Sequence, residues 1–135
     1  MNESFWDARY AEEGFAYGEE PNDFVRESAG RIARGGRVLC LAEGEGRNAA
    51  FLAARGHAVV AVDQSAVGLA KARALAARHG TSIETIVADL APWTPDEGAF
   101  DAFIAVFAHL PPRGRAHMFA AAIRALRPGG VAIVE

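Results

Sequence analysis

The sequence predicts an α/β fold in which an open parallel sheet carries helices on both of its faces. Short apolar runs alternate along the chain with alanine-rich segments whose apolar residues recur at helical spacing, and this alternation is typical of a parallel sheet. The runs are continuously apolar, as expected for strands that are buried on both faces. The length of 135 residues indicates a single domain over residues 1–135.

The start and stop signals along the chain place each element in order. We predict strands over residues 37–41, 58–62, 83–88, 101–107 and 131–134. We predict helices over residues 23–34, 47–55, 66–79 and 111–126, each bounded by a capping residue, glycine or proline. The expected inward faces of the first, third and last helices carry Phe24, Val25, Ser28 and Ile32, then Leu69, Ala72, Leu75 and Ala76, then Phe119, Ala122, Ile123 and Leu126. Residues 1–35 form an N-terminal cap and helix, and residues 36–135 form the α/β core.

Composition narrows the classes of function. The net charge is −3, so we expect no strongly basic face and no nucleic-acid partner. No apolar run reaches the ~18–20 residues of a membrane span, and the N-terminus does not resemble a signal peptide. The single cysteine, Cys40, excludes an internal disulfide, and the four histidines form no metal-ligand pattern. We therefore expect a cytoplasmic protein with no membrane association and no metal.

A glycine-rich loop follows the first predicted strand. Gly44-x-Gly46-x-x-Ala49 matches the dinucleotide pattern G-x-G-x-x-G/A, which alone is a weak signal. Asp63, at the end of the second strand, can accept two hydrogen bonds from a ribose diol. Ligands of such sheets bind beyond the carboxyl ends of the strands, where both features lie. Nicotinamide dinucleotides and S-adenosylmethionine share the ribose, so these features do not separate the two.

The charge of the loop favours S-adenosylmethionine. A diphosphate needs free backbone N–H groups and a positive field at a helix start, whereas this loop carries Glu43 and Glu45 with Asp63 nearby. These carboxylates suit a ligand that has an ammonium group, a sulfonium and a ribose, and Arg47 offsets only part of their charge. The alternative is that Glu43 and Glu45 point to solvent as first-turn helix residues.

Two further strand ends carry candidate residues. Asp89 can accept the exocyclic amine of adenine while the Leu90 amide meets a ring nitrogen; alternatively, Asp89 caps the next turn. After the fourth strand, Phe107 should border the reactive methyl group. His109 follows it and is a candidate catalytic base or pocket residue, or else a hydrogen-bonded spacer before Pro111. Methyl transfer needs no catalytic triad, since the cofactor supplies the leaving group.

These residues resemble the class I S-adenosylmethionine-dependent methyltransferases, and within them the tellurite-resistance and thiopurine methyltransferase-like group. The matching pieces are Phe5-Trp6-Asp7-x-Arg9-Tyr10, Tyr17-Gly18-x-x-Pro21, residues 41–48, Val62-Asp63-Gln64-Ser65, Ala88-Asp89-Leu90, His109-Leu110-Pro111 and Arg127-Pro128-Gly129-Gly130. The resemblance implies a Rossmann-like sheet of order 3-2-1-4-5 and N-terminal aromatics that fold over the cofactor; alternatively, Trp6 and Tyr10 pack a helix on the sheet. It implies a cofactor site of Trp6, Tyr17, Glu43, Gly44, Glu45, Gly46, Asn48, Asp63, Gln64, Ser65, Asp89, Leu90 and Phe107.

The chain departs from the group in three places. Cys40 replaces the usual acidic residue of the first strand, and Ala42 replaces the first glycine of the loop. Family members also have strands 6 and 7, which we expect to be absent here. An unpaired fifth strand over residues 131–134 is an association hazard, so we expect either that the chain is truncated or that a second copy pairs at this edge. The predicted function is methyl transfer to a small-molecule acceptor. The alternatives are a cofactor-binding module without turnover and an NAD-binding dehydrogenase fragment.

Overall fold

A computed structural model describes residues 3–108 and 110–135 of the chain, with only the backbone of Glu3. The helices are α1 (Glu3–Ala11), α2 (Asp23–Ser28), α3 (Arg47–Ala54), α4 (Ala66–Arg78) and α5 (Pro112–Ala125), with a short 3₁₀ helix at Ala29–Arg31. The strands are β1 (Arg37–Leu41), β2 (Ala58–Asp63), β3 (Glu84–Val87), β4 (Phe100–Ala105) and β5 (Leu126–Val134). The predicted α/β class and strand locations are confirmed.

The five strands form one parallel sheet in the order β3-β2-β1-β4-β5. This is the order that the resemblance implies. The sequence order reverses between β1 and β4, so the chain leaves these two neighbouring strands in opposite directions and a crevice opens at their carboxyl ends. Among the described residues β5 is an outer strand of the sheet, and the expected pairing of two copies at its edge stays a prediction.

Apolar side chains cover the sheet on both faces. On one face, the strand residues Val38, Cys40 and Ile104 pack with α2, α3 and α4. On the other face, Leu39, Leu41, Val60, Val62 and Phe103 pack with Met118, Ala122 and Ala125 of α5. Every residue of β1 from Val38 to Leu41 is buried, which explains why its apolar run does not alternate with polar residues.

Two predicted helix faces need correction. The predicted helix over residues 23–34 divides into α2 and the 3₁₀ helix, which contains Gly30, a poor residue for a helix interior. Phe24 is exposed, whereas Val25 and Ser28 face the core as predicted. In α5 the buried stripe is Met118, Ala121, Ala122 and Ala125, and Ile123 is exposed, so the prediction that Ile123 faces inward is wrong.

The N-terminal residues form a helix that packs on the core. Helix α1 lies against α4, with Trp6 and Tyr10 buried. The fifth strand is longer than predicted, because residues 126–130 continue it across an irregularity between Phe100 and Ala102 of β4. Among the residues that the structure describes, no helix combines the length and the apolar character that crossing a membrane requires.

Candidate functional site

A cavity of about 370 Å³ opens at the carboxyl ends of the central strands. It lies between the loops after β1, β2, β3 and β4, with the N-terminal residues on its remaining side. Most of the predicted cofactor residues line it, namely Trp6, Tyr17, Glu43, Glu45, Gly46, Asn48, Asp63, Gln64, Asp89, Leu90 and Phe107. The predicted residues Gly44 and Ser65 lie outside the lining, and His109 lies outside the described residues.

Glu43 occupies the N-terminus of α3. Its Oε1 accepts a hydrogen bond from the Ala49 N–H at 2.6 Å, while Gly46, the residue before the helix, supplies no side-chain cap. Burial raises the pKa of Glu43 to about 7, and Asp63 adds to the rise, whereas the Ala49 N–H and the Arg47 guanidinium oppose it. Glu43 therefore faces the cavity from a position that an anionic ligand group would otherwise take.

Asp63 joins the loop after β1 to the start of α4. Its Oδ2 accepts from the Gly44 N–H at 2.8 Å, and its Oδ1 accepts from the Ser65 N–H at 2.9 Å. Asp63 is only 6% exposed, and burial raises its pKa. Each of its oxygens has a second lone pair, so the carboxylate can still accept hydrogen bonds from a ligand in the cavity.

Ser65 makes hydrogen bonds within the protein at the start of α4. Its hydroxyl accepts from the Gly68 N–H at 3.0 Å, which caps α4, and donates to Oδ1 of Asp7 at 2.6 Å. Ser65 thereby ties α1 to α4, and its side chain is fully buried. The role of Ser65 as the cap of α4, which the sequence indicates, is confirmed, and its contact with a ligand stays a prediction.

Glu45 is buried and fully paired within the protein. Its Oε1 accepts from the Ala16 N–H at 2.6 Å, and its Oε2 lies 2.8 Å from Nζ of Lys71. Glu45 is 6% exposed, so it does not point to solvent as the alternative interpretation held. Since Lys71 neutralises it, Glu45 adds little net negative charge to this edge of the cavity, where Glu43 and Asp63 supply the other carboxyl groups.

The glycines of the loop allow close packing within the protein. A Cβ on Gly46 would lie 2.3 Å from Cβ of Ala72 in α4, and one on Gly44 would lie 2.5 Å from the Tyr10 hydroxyl oxygen. Both glycines also have positive φ values, 85° and 58°. The neighbours that require glycine at these two positions are therefore a helix and an aromatic ring of the protein itself.

Three aromatic residues from the N-terminal region cover the cavity. The rings of Trp6 and Tyr10 stack with centroids 5.5 Å apart at an angle of 21°. Burial raises the pKa of the Tyr10 hydroxyl, and the neighbouring Asp63 carboxylate reinforces the effect. Tyr17 also lines the cavity but is largely exposed. The helix α1 thus packs on the core through the same residues that form the cavity wall, which combines the two alternatives that the sequence left open.

The loops after β3 and β4 supply a further part of the cavity lining. Leu90 is buried and lines the cavity, and the exposed Asp89 accepts from the Ala91 N–H at 3.0 Å, as expected for a turn cap. Asp89 also borders the cavity, so both interpretations of this residue remain compatible with its position. Phe107 lies beyond β4 with a φ of 50° and 56% exposure.

Among the described residues, no group of three or more metal-binding side chains is present.

A comparison with known families agrees with the fold. A family model described as a methyltransferase domain matches residues 38–130, which is more than half of the chain. The chain belongs to this methyltransferase domain family. A search of the curated proteins gave no match.

Solved structures share the fold of this methyltransferase domain. The PH0226 protein of Pyrococcus horikoshii OT3 is 33% identical, with a TM-score of 0.67, and the match covers 73% of this chain and 48% of that chain. A structure concerned with the conversion of a disulfide bond into a thioacetal group during echinomycin biosynthesis is 31% identical, with a TM-score of 0.75 and coverage of 98% and 59%. A Geobacter sulfurreducens S-adenosylmethionine-dependent methyltransferase in complex with S-adenosyl-L-homocysteine is 23% identical, with a TM-score of 0.76 and coverage of 99% and 55%. The chain spans about half to three fifths of these relatives.

Some residues of the methyltransferase cavity were missed from the sequence. Tyr10, Gly18, Ala42, Arg47, Val106 and Leu110 line it in addition to the predicted set. Tyr10 lies one helical turn after Trp6, so the spacing of these aromatics could have indicated it. Arg47 follows the loop glycines directly and was considered only as a partial offset to the carboxylates. For Val106 the sequence carries no signal beyond its place after a strand.

Proposed function

We propose that this chain binds S-adenosylmethionine in the cavity and serves the transfer of its methyl group to a small-molecule acceptor. The observation that carries the proposal is the carboxylate of Glu43 at the N-terminus of α3. In dinucleotide sites a diphosphate occupies the corresponding place, where the helix supplies free N–H groups and a positive field. Here a protein carboxylate already uses that field.

The hydrogen bonds of the loop strengthen this argument. The Gly44 N–H donates to Asp63, the Gly46 N–H donates to the Glu43 carbonyl at 3.1 Å, and the Ala49 N–H donates to the Glu43 side chain. A diphosphate in this loop would have to displace these bonds and would meet two carboxylates at close range. The cost of burying such like charges together disfavours a dinucleotide.

The same groups suit the amino-acid portion of S-adenosylmethionine. Glu43 and Arg47 both line the cavity and interact electrostatically with each other. A negative and a positive side chain side by side complement an α-ammonium and an α-carboxylate. We assign Glu43 to the ammonium, Arg47 to the carboxylate and Asp63 to the ribose hydroxyls, and we place the adenine near Asp89 and Leu90.

The protein's part in methyl transfer is to position the reactants and to exclude water. When bound, S-adenosylmethionine supplies a sulfonium that activates the methyl carbon and serves as the leaving group. The stacked rings of Trp6 and Tyr10 shield the cavity on one side, and the apolar side chains of Val106, Phe107 and Leu110 form the wall beyond β4. Holding the acceptor in line within such a wall lowers the entropic part of the barrier.

We also propose that the chain belongs to the tellurite-resistance and thiopurine methyltransferase-like group. The support is the N-terminal pair of motifs, Phe5-Trp6-Asp7-x-Arg9-Tyr10 and Tyr17-Gly18-x-x-Pro21. In the structure, Trp6, Tyr10, Tyr17 and Gly18 from these motifs all line the cavity. This supports a part for the motifs in the site as well as in the packing of α1.

Titration calorimetry with S-adenosylmethionine, S-adenosylhomocysteine, adenosine and NAD tests the proposal. We expect both sulfur compounds to bind with Kd values well below about 1 mM, and adenosine to bind at least about tenfold more weakly because it lacks the amino-acid portion. NAD should show no binding in the same range. Binding of NAD in preference to S-adenosylhomocysteine, or no binding of either sulfur compound, would refute the proposal.

A further inference from the structure

Lys71 of α4 has all three of its N–H donors engaged. Its Nζ lies 2.8 Å from Oε2 of the buried Glu45, 2.7 Å from the carbonyl oxygen of Glu12 and 2.6 Å from that of Gly14. An ammonium group has three donors, so these contacts exhaust its capacity. They connect one residue of the core to the loop that follows α1, which we call the cap loop (residues 12–18).

Glu45 binds the same loop at a second point. Its second carboxylate oxygen accepts from the Ala16 N–H at 2.6 Å. Lys71 and Glu45 together therefore bind the backbone of the cap loop at Glu12, Gly14 and Ala16. The next two residues of the chain, Tyr17 and Gly18, line the cavity.

A stripe on α4 extends this contact beyond the ion pair. Lys71, Leu75 and Arg78 recur at helical spacing, so they lie along one face of the helix. The Phe15 ring packs against the buried cluster of Ala50, Leu75 and Ala76, and Nζ of Lys71 lies 5.6 Å from its centroid. Arg78 pairs with Glu19, which follows the cap loop. The cap loop thus lies along the helix with Lys71 at its start.

We propose that Lys71 is a positioning residue that, through Glu45, holds the cap loop and its Tyr17 over the cofactor cavity. The inference rests on the proposed function for its effect on ligand affinity. Removing the ammonium would leave the Glu45 carboxylate buried without its countercharge, which is costly, and would free the exposed carbonyls of Glu12 and Gly14 to bind water instead of the protein. The least costly response is release of the cap loop into solvent, which opens the cavity on that side.

The test compares Lys71→Met with the wild-type protein and with Arg73→Met. Arg73 lies on the same helix, is exposed, and donates to the Thr85 hydroxyl rather than to the cap loop, so it controls for the loss of a helix cation. Digestion by a glutamate-specific protease reports on the cap loop, because Glu12 and Glu13 are exposed residues of this loop. Calorimetry with S-adenosylhomocysteine reports on the cavity.

We expect Lys71→Met to raise the initial rate of cleavage after Glu12 and Glu13 and to raise the Kd for S-adenosylhomocysteine by about tenfold, or about 1.4 kcal/mol. Lys71→Arg should keep the cleavage rate and the Kd close to their wild-type values, and Arg73→Met should change neither quantity. If Lys71→Met does not fold, Glu45→Gln tests the inference through the cleavage rate, since an amide keeps the Ala16 bond and removes the ion pair.

The two readouts separate the inference from the proposed function. Failure of the wild-type protein to bind S-adenosylhomocysteine would refute the proposed function, while the cleavage assay would still decide whether Lys71 holds the cap loop. A Lys71→Met protein with wild-type cleavage would overturn the inference. So would one whose melting temperature falls while its Kd stays within twofold of the wild-type value, because that is the outcome of a purely structural role.

Discussion

The loops that follow the two central strands differ in how firmly the protein holds them. Both contain a non-glycine residue in the left-handed region, Ala42 with a φ of 54° after β1 and Phe107 with a φ of 50° after β4. Around Ala42, the loop is bound through Glu43, Gly44 and Asp63 by hydrogen bonds of 2.6 to 2.8 Å. Phe107 donates one backbone hydrogen bond, to the carbonyl of Glu135 at 2.7 Å, and its ring is exposed.

This difference indicates that the loop after β1 and the loop after β4, which form two walls of the cavity, serve different ligands. The loop after β1 is held by hydrogen bonds within the protein, so binding a constant ligand there costs little further ordering. The loop after β4 combines a backbone as strained as that at Ala42 with an exposed aromatic ring, and strain of this kind persists at sites where function requires it. We infer that the first wall is specialised for the cofactor and the second for the acceptor. Three predictions test this contrast, from the largest expected effect to the smallest.

The largest effect is expected for Gly46→Ala in the firmly held loop. The new Cβ would lie 2.3 Å from Cβ of Ala72, and alanine would have to adopt a φ of 85°. We expect the free energy of unfolding to fall by about 3–4 kcal/mol, since overpacking and backbone strain add. Urea denaturation followed by circular dichroism measures it.

Gly56→Ala is the matched control for this substitution. Gly56 also has a positive φ, 97°, but a Cβ there would have no neighbour within 4 Å. Only backbone strain remains, so a loss of about 1–2 kcal/mol is expected. Equal losses in the two variants would mean that the close approach of α4 to the glycine loop does not constrain it.

The second prediction concerns the charge of Glu43. Its pKa in the folded protein is about 7, above the 4.5 of an ordinary glutamate, so folding favours the protonated form. The associated stability is present below about pH 4.5 and is lost as the pH rises through 7. Glu43→Gln removes this loss, and we expect the variant to be more stable than the wild-type protein by about 2 kcal/mol at pH 8, with little difference at pH 4.5. Urea denaturation at both pH values provides the measurement.

The ionisation of Glu43 should also make ligand affinity depend on pH. If the ionised form of Glu43 binds the ammonium of the ligand, affinity for S-adenosylhomocysteine should rise about tenfold between pH 6 and pH 8. Glu43→Gln should remove that dependence and bind weakly at both pH values. Glu97→Gln, at an exposed residue, serves as the control. A Glu43→Gln protein whose stability difference is the same at pH 4.5 and pH 8 would show that this carboxylate is well solvated.

The contrast between the walls also explains which features were readable from the sequence. The strands are short apolar runs bounded by glycine, proline or polar residues, so local patterns located them. The order of the sheet came from the resemblance to a family. Glu43 and Asp63 were found because they directly follow buried strands, whose carboxyl ends lie at the ligand edge of such sheets.

Features that depend on distant pairs were not readable in this way. The partner of Glu45 is Lys71, 26 positions along the chain, and the neighbour of Gly46 is Ala72. Neither pairing leaves a local signal in the sequence. The sequence therefore predicted that Glu45 faces the ligand or the solvent, and it did not indicate the ion pair with Lys71. The inward face of α5 was misplaced because Ile123 is apolar but exposed, and apolar residues at the surface are common.

The smallest expected effect belongs to the weakly held loop. Phe107→Gly should raise the free energy of unfolding by about 0.5–1 kcal/mol, because glycine adopts a positive φ without strain and the exposed ring contributes little buried area. The greater freedom of glycine in the unfolded chain limits this gain. Phe107→Ala, measured in parallel, keeps the strain and removes the ring, so it should not gain stability.

Cofactor affinity and the rate of methyl transfer in the Phe107→Gly protein test whether Phe107 serves the acceptor. If the strained backbone and exposed ring serve the acceptor, Phe107→Gly should be more stable than the wild-type protein and bind S-adenosylhomocysteine with the same Kd, yet transfer methyl groups more slowly. That combination separates the two walls, since no substitution in the loop after β1 should leave cofactor affinity intact. A Phe107→Gly protein that loses cofactor affinity to the same extent as Glu43→Gln would instead show that both loops serve one ligand, and the proposed division between cofactor wall and acceptor wall would be wrong.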